Sequence, residues 1–253
     1  MLRIIDKTKN IIINKFFSTT IGTKNKLNRD EWLKYTLLNL PADARLLDAG
    51  AGQLRNKPLC AHLNYVSQDF GQYTGDNPKA PGLGNQIGWD TSNVDIISDI
   101  TCIPEEDESF DAILCSEVFE HLPNPIAAMR EFLRLLKPGG KMILTAPFNS
   151  LTHQAPFFYY SGFSSNFYSY WCNQLNFEII DLLPNGNYFE YLGQELRRLD
   201  YVSQRYTNKK YSLACKIILY LLLKRLEIFS FDDENSAELL CFGYHLLAVK
   251  KKI

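Results

Sequence analysis

Charge bias is missing from this chain. Its 27 lysines and arginines stand against 28 aspartates and glutamates, for a net charge of −1, and so small a balance supplies no field to draw in nucleic acid. The six cysteines, Cys60, Cys102, Cys115, Cys172, Cys215 and Cys241, form no C-x-x-C pair and read as reduced core residues. No apolar run reaches membrane-span length. The longest, Ile217 to Leu223, is bounded by Lys216 and Lys224-Arg225, far short of the ~20 residues a crossing needs. That run is expected as a helix buried in an insertion, with a dimer contact or a peripheral membrane patch with basic rims as the alternatives. Lysines interrupt the apolar residues around Ile11-Ile12-Ile13, which leaves no secretory signal and points to the cytoplasm. Neither a P-loop nor a G-x-S-x-G elbow occurs, which sets aside those two nucleotide- and ester-directed chemistries. The oligomeric state stays open.

What the chain does have is length and alternation. At 253 residues and 46% apolar content it can bury one sizeable α/β core. Strands near 45–49, 64–69, 94–98, 111–116 and 141–146 alternate with helices or loops, the pattern of a doubly wound parallel sheet. From Asp30 the spacing of Trp32, Leu33, Thr36, Leu37 and Leu40 is helical, with Asn28 or Asp30 as cap and Pro41 as its end. Asn124-Pro125 opens another helix with Ile126, Met129, Leu133 and Leu136 on one face, and Pro138-Gly139-Gly140 is expected to stop it. Ser164 or Ser165 caps a helix that carries Phe167, Tyr170, Trp171 and Leu175 ahead of a strand over 177–183. Two helices follow between Pro184 and Ser236, and Leu239 to Val249 returns as the last strand. The expected layout is an arm and covering helix over 1–42, then one domain over 43–253 with a helical insertion at about 184–236.

The most telling stretch is Leu46-Leu47-Asp48-Ala49-Gly50-Ala51-Gly52, an apolar strand closed by a carboxylate and two glycines. A dinucleotide fingerprint G-x-G-x-x-G would need glycine at position 55, where Arg55 stands. Asp48 would also repel a pyrophosphate; the sulfonium and ammonium of S-adenosylmethionine suit it better. About 20 residues on, where such folds use an acid to hold ribose hydroxyls, the strand Tyr65-Val66-Ser67-Gln68 ends in Asp69-Phe70. Another strand ends in Asp99-Ile100, and a fourth in Ser116-Glu117, inside Glu108 to Pro123. Taken with Arg130 to Lys141, these motifs resemble class I S-adenosylmethionine-dependent methyltransferases of the type 11 branch, over Leu46 to Leu183. Leu54 departs from that pattern, in which a third glycine is common. Ala146 to Pro156 further resembles methyltransferases of bacterial surface-polysaccharide synthesis.

The resemblance implies a Rossmann-like, mostly parallel seven-stranded sheet whose last strand is antiparallel. It also implies S-adenosylmethionine as cofactor, with S-adenosylhomocysteine as product. Carried onto matching positions, it places Asp48, Ala49, Gly50, Ala51 and Gly52 around the methionine end, Asp69 on the ribose and Asp99 at adenine. Phe70, Ile100, Ser116 and Glu117 are further cofactor contacts. The glycine- and proline-rich segment Gly71 to Asn93 is expected as a lid over the cofactor, with a flexible excursion as the alternative, and Trp89 either closes against the adenosine or anchors the loop to the surface.

Methyl transfer is an in-line displacement, and a hydroxyl acceptor must lose its proton. His121, just past the fourth strand, is the expected base; its bland alternative is a histidine that ties down the loop through a backbone hydrogen bond. His153 is the second catalytic candidate, as base or substrate contact, and aromatics from Phe157 to Trp171 divide between an acceptor wall and core. His62 and His245 read as structural. The expected reaction is O-methylation of a sugar or glycan precursor without a metal. Glu117-Val118-Phe119-Glu120-His121 also resembles the E-x-x-E-H metal site of small-RNA 2′-O-methyltransferases, which needs a further histidine that His153 could supply. A metal-dependent RNA methyltransferase and a non-catalytic S-adenosylmethionine-binding protein are therefore the alternatives.

Overall fold

The computed structural model describes residues 18–75, 82–83 and 88–252. Most of the N-terminal arm and parts of the expected lid, 76–81 and 84–87, lie outside the described residues. The described chain divides into two compact units, 27–185 with 242–252, and 18–26 with 186–241.

The larger unit is a seven-stranded sheet. Its strands are β1 (Arg45–Ala49), β2 (Asn64–Asp69), β3 (Ile96–Ile97), β4 (Phe110–Ser116), β5 (Leu136–Pro147), β6 (Phe177–Asn185) and β7 (Gly243–Lys250), in the spatial order β3-β2-β1-β4-β5-β7-β6. Strands β1 to β5 pair in parallel, and β7 runs antiparallel between β5 and β6, as the sequence led one to expect. The order reverses beside β1, and in open sheets of this kind ligands bind outside the carboxyl ends of the strands at that reversal.

Three helices flank the sheet. Helix α1 (Asn25–Leu38) begins a turn earlier than the expected cap and buries Leu33, Thr36 and Leu37. Leu33 and Leu37 pack with Leu46, Ala112, Leu114 and Ile143 from three adjacent strands. Helix α2 (Pro125–Leu135) starts as expected, the Asn124 side chain accepting from Ala127 N at 3.0 Å with proline in the first turn. It stops sooner than Pro138-Gly139-Gly140 implied: β5 has already begun at Leu136, and those residues lie within its first, irregular stretch. Helix α3 (Ser165–Gln174) is capped by Ser164.

His245 shows what this packing costs. It sits in β7 opposite Thr145, 5% exposed, with its ring stacked on Trp32 of α1 at 4.9 Å. Burial, helped by the charge of Arg29, pushes its pKa down from 6.5 to about 4. A histidine that stays neutral in the folded chain but takes a proton when unfolded weakens the fold on acidification. That loss begins as pH falls below 6.5 and is complete below about 4. His245→Phe, which keeps the stack, is expected to remove about 3 kcal/mol of acid sensitivity, read as a flatter dependence of urea midpoint on pH between 7 and 4.

The smaller unit holds helices α4 (Tyr188–Thr207) and α5 (Leu213–Phe231). Ile21, Leu223 and Leu226 form its centre, with Phe189, Leu192, Leu196 and Leu219 packed around them. Burial of the whole 217–223 run was expected, and this is corrected: Ile217, Ile218, Leu221 and Leu222 are exposed while Leu223 is buried. Among the described residues no helix is long and apolar enough to cross a membrane. Of the cysteines read as core, Cys102 and Cys215 are exposed.

Candidate active site

The glycine bend after β1 is built on β2. Gly50 N and Ala51 N both donate to Gln68 O at 2.8 Å, which turns the chain back over the strand tips. Gly50 and Gly52 lie at φ +78° and +52°, the left-handed region that favours glycine. Close approach excludes side chains as well: a Cβ at Gly50 would stand 2.5 Å from Val118 Cγ2, and one at Gly52 2.6 Å from Trp89 Cζ2. Trp89 thus covers the bend, with its ring edge-on to Tyr73 at 5.6 Å.

Asp69, 6% exposed at the tip of β2, holds this cradle together. Its Oδ2 accepts from Gly52 N and its Oδ1 from Gly71 N, both at 2.9 Å. Each carboxylate oxygen keeps a further lone pair, which suits a vicinal diol such as a ribose. A side-chain-free bend beside a fixed carboxylate therefore fits the adenosyl cofactor that the sequence implied.

Asp48, expected at the methionine end, lies near the end of β1, two residues before Gly50. It is 1% exposed and accepts from the Tyr65 hydroxyl at 2.7 Å, with the Asn56 side chain as a second partner. Burial pushes its pKa up to about 6, against those two hydrogen bonds. Asp99 is exposed and accepts from Thr101 N and Oγ1, each at 2.8 Å, while the next residue, Ile100, is buried. Phe70 meets Phe157 edge-on at 5.0 Å.

The tip of β4 is occupied by protein partners. Ser116 Oγ lies 2.8 Å from Thr145 Oγ1. Glu117 adopts φ +57°, a conformation costly for a residue with a Cβ. It is held there by its N–H on Thr145 O at 2.8 Å, by Thr145 Oγ1 on Oε1 at 3.1 Å and by Arg29 Nη1 on Oε2 at 2.6 Å.

Beyond Val118 the chain makes a short 3-10 turn, Phe119–His121. It aims Glu120 and His121 at His153 from the loop after β5. Glu120 Oε1 lies 3.8 Å from His121 Nε2 and 3.9 Å from His153 Nε2. The two imidazoles meet edge-to-face at 4.7 Å, with Phe158 beside both. His121 Nδ1 sits 2.5 Å from Phe157 O, so the bland and the catalytic expectations for this residue coexist: one nitrogen ties the loop and the other faces the cluster. Burial pushes the His121 pKa down to about 4.

Sequence reasoning brought His121 and His153 forward, and the fold sets them side by side. It missed Arg29, Tyr65 and Thr145, for which no local signal exists, and gave Glu120 no role outside the E-x-x-E-H resemblance.

Comparison with known proteins bears on the family and the fold. The methyltransferase domain family matches residues 24–182. A ubiquinone biosynthesis O-methyltransferase of Xanthomonas oryzae is 35% identical over 106 residues, 41% of this chain and 43% of that protein. Methyltransferase GfsG of Streptomyces halstedii is 27% identical over 117 residues, 44% of this chain and 40% of its own. The chain thus spans less than half the length of these relatives. Among solved structures, the [4+2]-cyclase SpnF superposes with a TM-score of 0.53 at 18% identity, covering 88% of this chain and 80% of its own. A protein assigned as a sarcosine dimethylglycine methyltransferase from Galdieria sulphuraria gives 0.50 at 15%, covering 90% and 85%. At such identities these two speak for the fold alone. With the family matched over more than half its length, the chain belongs to the methyltransferase domain family, whose class I fold takes S-adenosylmethionine as cofactor.

Proposed function

We propose that the chain transfers the methyl group of S-adenosylmethionine to a hydroxyl oxygen of a small molecule, with a sugar or glycan hydroxyl as the acceptor class. The observation that carries this reading is the placement of the Glu120–His121–His153 cluster one short turn beyond Val118, the residue packed on Gly50. In the displacement the acceptor oxygen bonds to the methyl carbon as the sulfonium bond breaks, and the hydroxyl proton has to leave. A neutral imidazole beside the bend gives that proton a destination. Tyr159 and Tyr160, 49% and 38% exposed close by, offer faces of the kind that stack on a sugar ring.

An aromatic hydroxyl is the second reading, favoured by the 35% identity to the ubiquinone biosynthesis O-methyltransferase. The RNA alternative gains nothing from a net charge of −1. The test is release of S-adenosylhomocysteine from a panel of nucleotide sugars, oligosaccharides and ortho-dihydroxy aromatics. Turnover on a sugar is expected. Turnover confined to the aromatics would replace the sugar reading. Cofactor binding without turnover on any acceptor, in a chain whose fold also carries a cyclase, would favour a non-catalytic binder.

A further inference from the structure

Three groups able to ligate a metal, Glu120, His121 and His153, face one another in the cluster. His121 Nδ1 lies on Phe157 O and His153 Nδ1 on Leu151 O, at 2.5 and 2.9 Å. A carbonyl oxygen only accepts, so both Nδ1 atoms carry hydrogen, and a cation would meet the two rings at their Nε2 atoms. Both Nε2 atoms lie toward Glu120, whose side chain is 2% exposed and whose Oε2 has no hydrogen-bond partner among the described residues. A proton shared within the cluster does not resolve this, because 3.8 and 3.9 Å from Oε1 to the imidazole nitrogens exceed hydrogen-bond reach.

We propose that Glu120, His121 and His153 form a divalent-cation site of two imidazoles and one carboxylate, with further coordination positions open. One ligand atom from each residue lies within 4.8 Å of the others. Bonds of about 2.0–2.2 Å to a common ion in tetrahedral geometry put ligand atoms roughly 3.3–3.6 Å apart, so the side chains close in on the ion when it binds. The backbone carbonyls on both Nδ1 atoms are the outer-shell partners that fix a ligating histidine's tautomer and orientation. Two nitrogen donors favour Zn²⁺, Co²⁺ or Mn²⁺ over Mg²⁺, which prefers an all-oxygen shell. Glu117, the first acid of the E-x-x-E-H stretch, lies outside the site because Arg29 and Thr145 engage both its oxygens. Where the sequence led to a metal-free base, His121 becomes a ligand, and the open positions would take the acceptor oxygen and lower its pKa. This last step rests on the methyl-transfer reading; cation binding does not.

The test uses the metal-stripped full chain without cofactor, titrated with Co²⁺ and followed by visible absorption and calorimetry. Saturable binding of a single Co²⁺, displaced by Zn²⁺ and untouched by millimolar Mg²⁺, is expected. His153→Ala and Glu120→Gln should each weaken it by at least about tenfold. His153 is partly exposed, so the first of these variants guards against a folding failure in the second. S-Adenosylhomocysteine affinity, measured on the same samples, should be unchanged. Absence of saturable Co²⁺ binding in the parent chain, or equal binding in His153→Ala, overturns the proposal. Because cofactor binding and turnover are read separately, a failed cation site and a failed methyl-transfer reading give different results.

Discussion

Exchange of His121 for alanine is expected to slow methyl transfer by about 10²–10⁴-fold while leaving the affinity for S-adenosylhomocysteine unchanged. The two effects separate because, among the described residues, no contact of the residue is made with the groups that form the cradle. Its Nδ1 is committed to Phe157 O, its ring packs against His153 and Phe158, and its Nε2 looks toward Glu120. None of those partners belongs to the Gly50–Gly52 bend or to Asp69. Initial rates and a calorimetric titration on one preparation decide the matter, and an undiminished rate on an acceptor that turns over would remove His121 from the mechanism. The size of the His153→Ala effect then sorts the two roles. As lone base, His121 should matter far more than His153; as one of two imidazole ligands, it should matter comparably.

The parts of this protein that could be read from sequence are those fixed by neighbours in the chain. Asn124 caps α2 and Ser164 caps α3 because a short polar side chain reaches the backbone N–H three residues on. The glycine bend was legible because positive φ and close approach both demand residues without a Cβ. Asp69 was legible from its distance along the chain, since β1 and β2 lie side by side and their tips meet. Where local signals compete, the reading slipped. Pro138-Gly139-Gly140 stops helices as a rule, yet the helix had already ended and Leu136 pairs with Phe110. The run from Ile217 to Leu223 is apolar all round, a pattern that normally signals burial, but among the described residues Leu219 and Leu223 pack in the unit's core while Ile217, Ile218, Leu221 and Leu222 are exposed.

The least legible features are tertiary. Arg29 and Glu117 are 88 residues apart, and nothing near either one announces the pair. Asp48 illustrates a subtler case: its identity and position were evident, but its burial and its partners Tyr65 and Asn56 come from residues elsewhere in the chain. Glu120 is similar. The E-x-x-E-H spacing flags it, but whether its carboxylate finds a donor depends on how the loop after β5 returns. That loop brings His153 to the cluster and, among the described residues, leaves Oε2 without a partner.

Asp69 carries the second large effect. Replacing it with alanine deletes the acceptor for Gly52 N and the acceptor for Gly71 N at once, and would also take away the lone pairs offered to a ribose. Hydrogen bonds to a charged group contribute about 1.5–3 kcal/mol each, so losing the cofactor contacts alone should weaken S-adenosylhomocysteine binding by about 100-fold or more. Asp69→Asn is nearly isosteric but fares little better, because its amide nitrogen must face one of the two backbone N–H groups, donor against donor. If the thermal midpoint of the unliganded chain falls only slightly while the calorimetric affinity collapses in both variants, the carboxylate serves the ligand as well as the turn. Retained affinity in Asp69→Ala would show that the cradle between β1 and β2 is not where the cofactor sits, and with it would go the assignment of every neighbouring residue to that role.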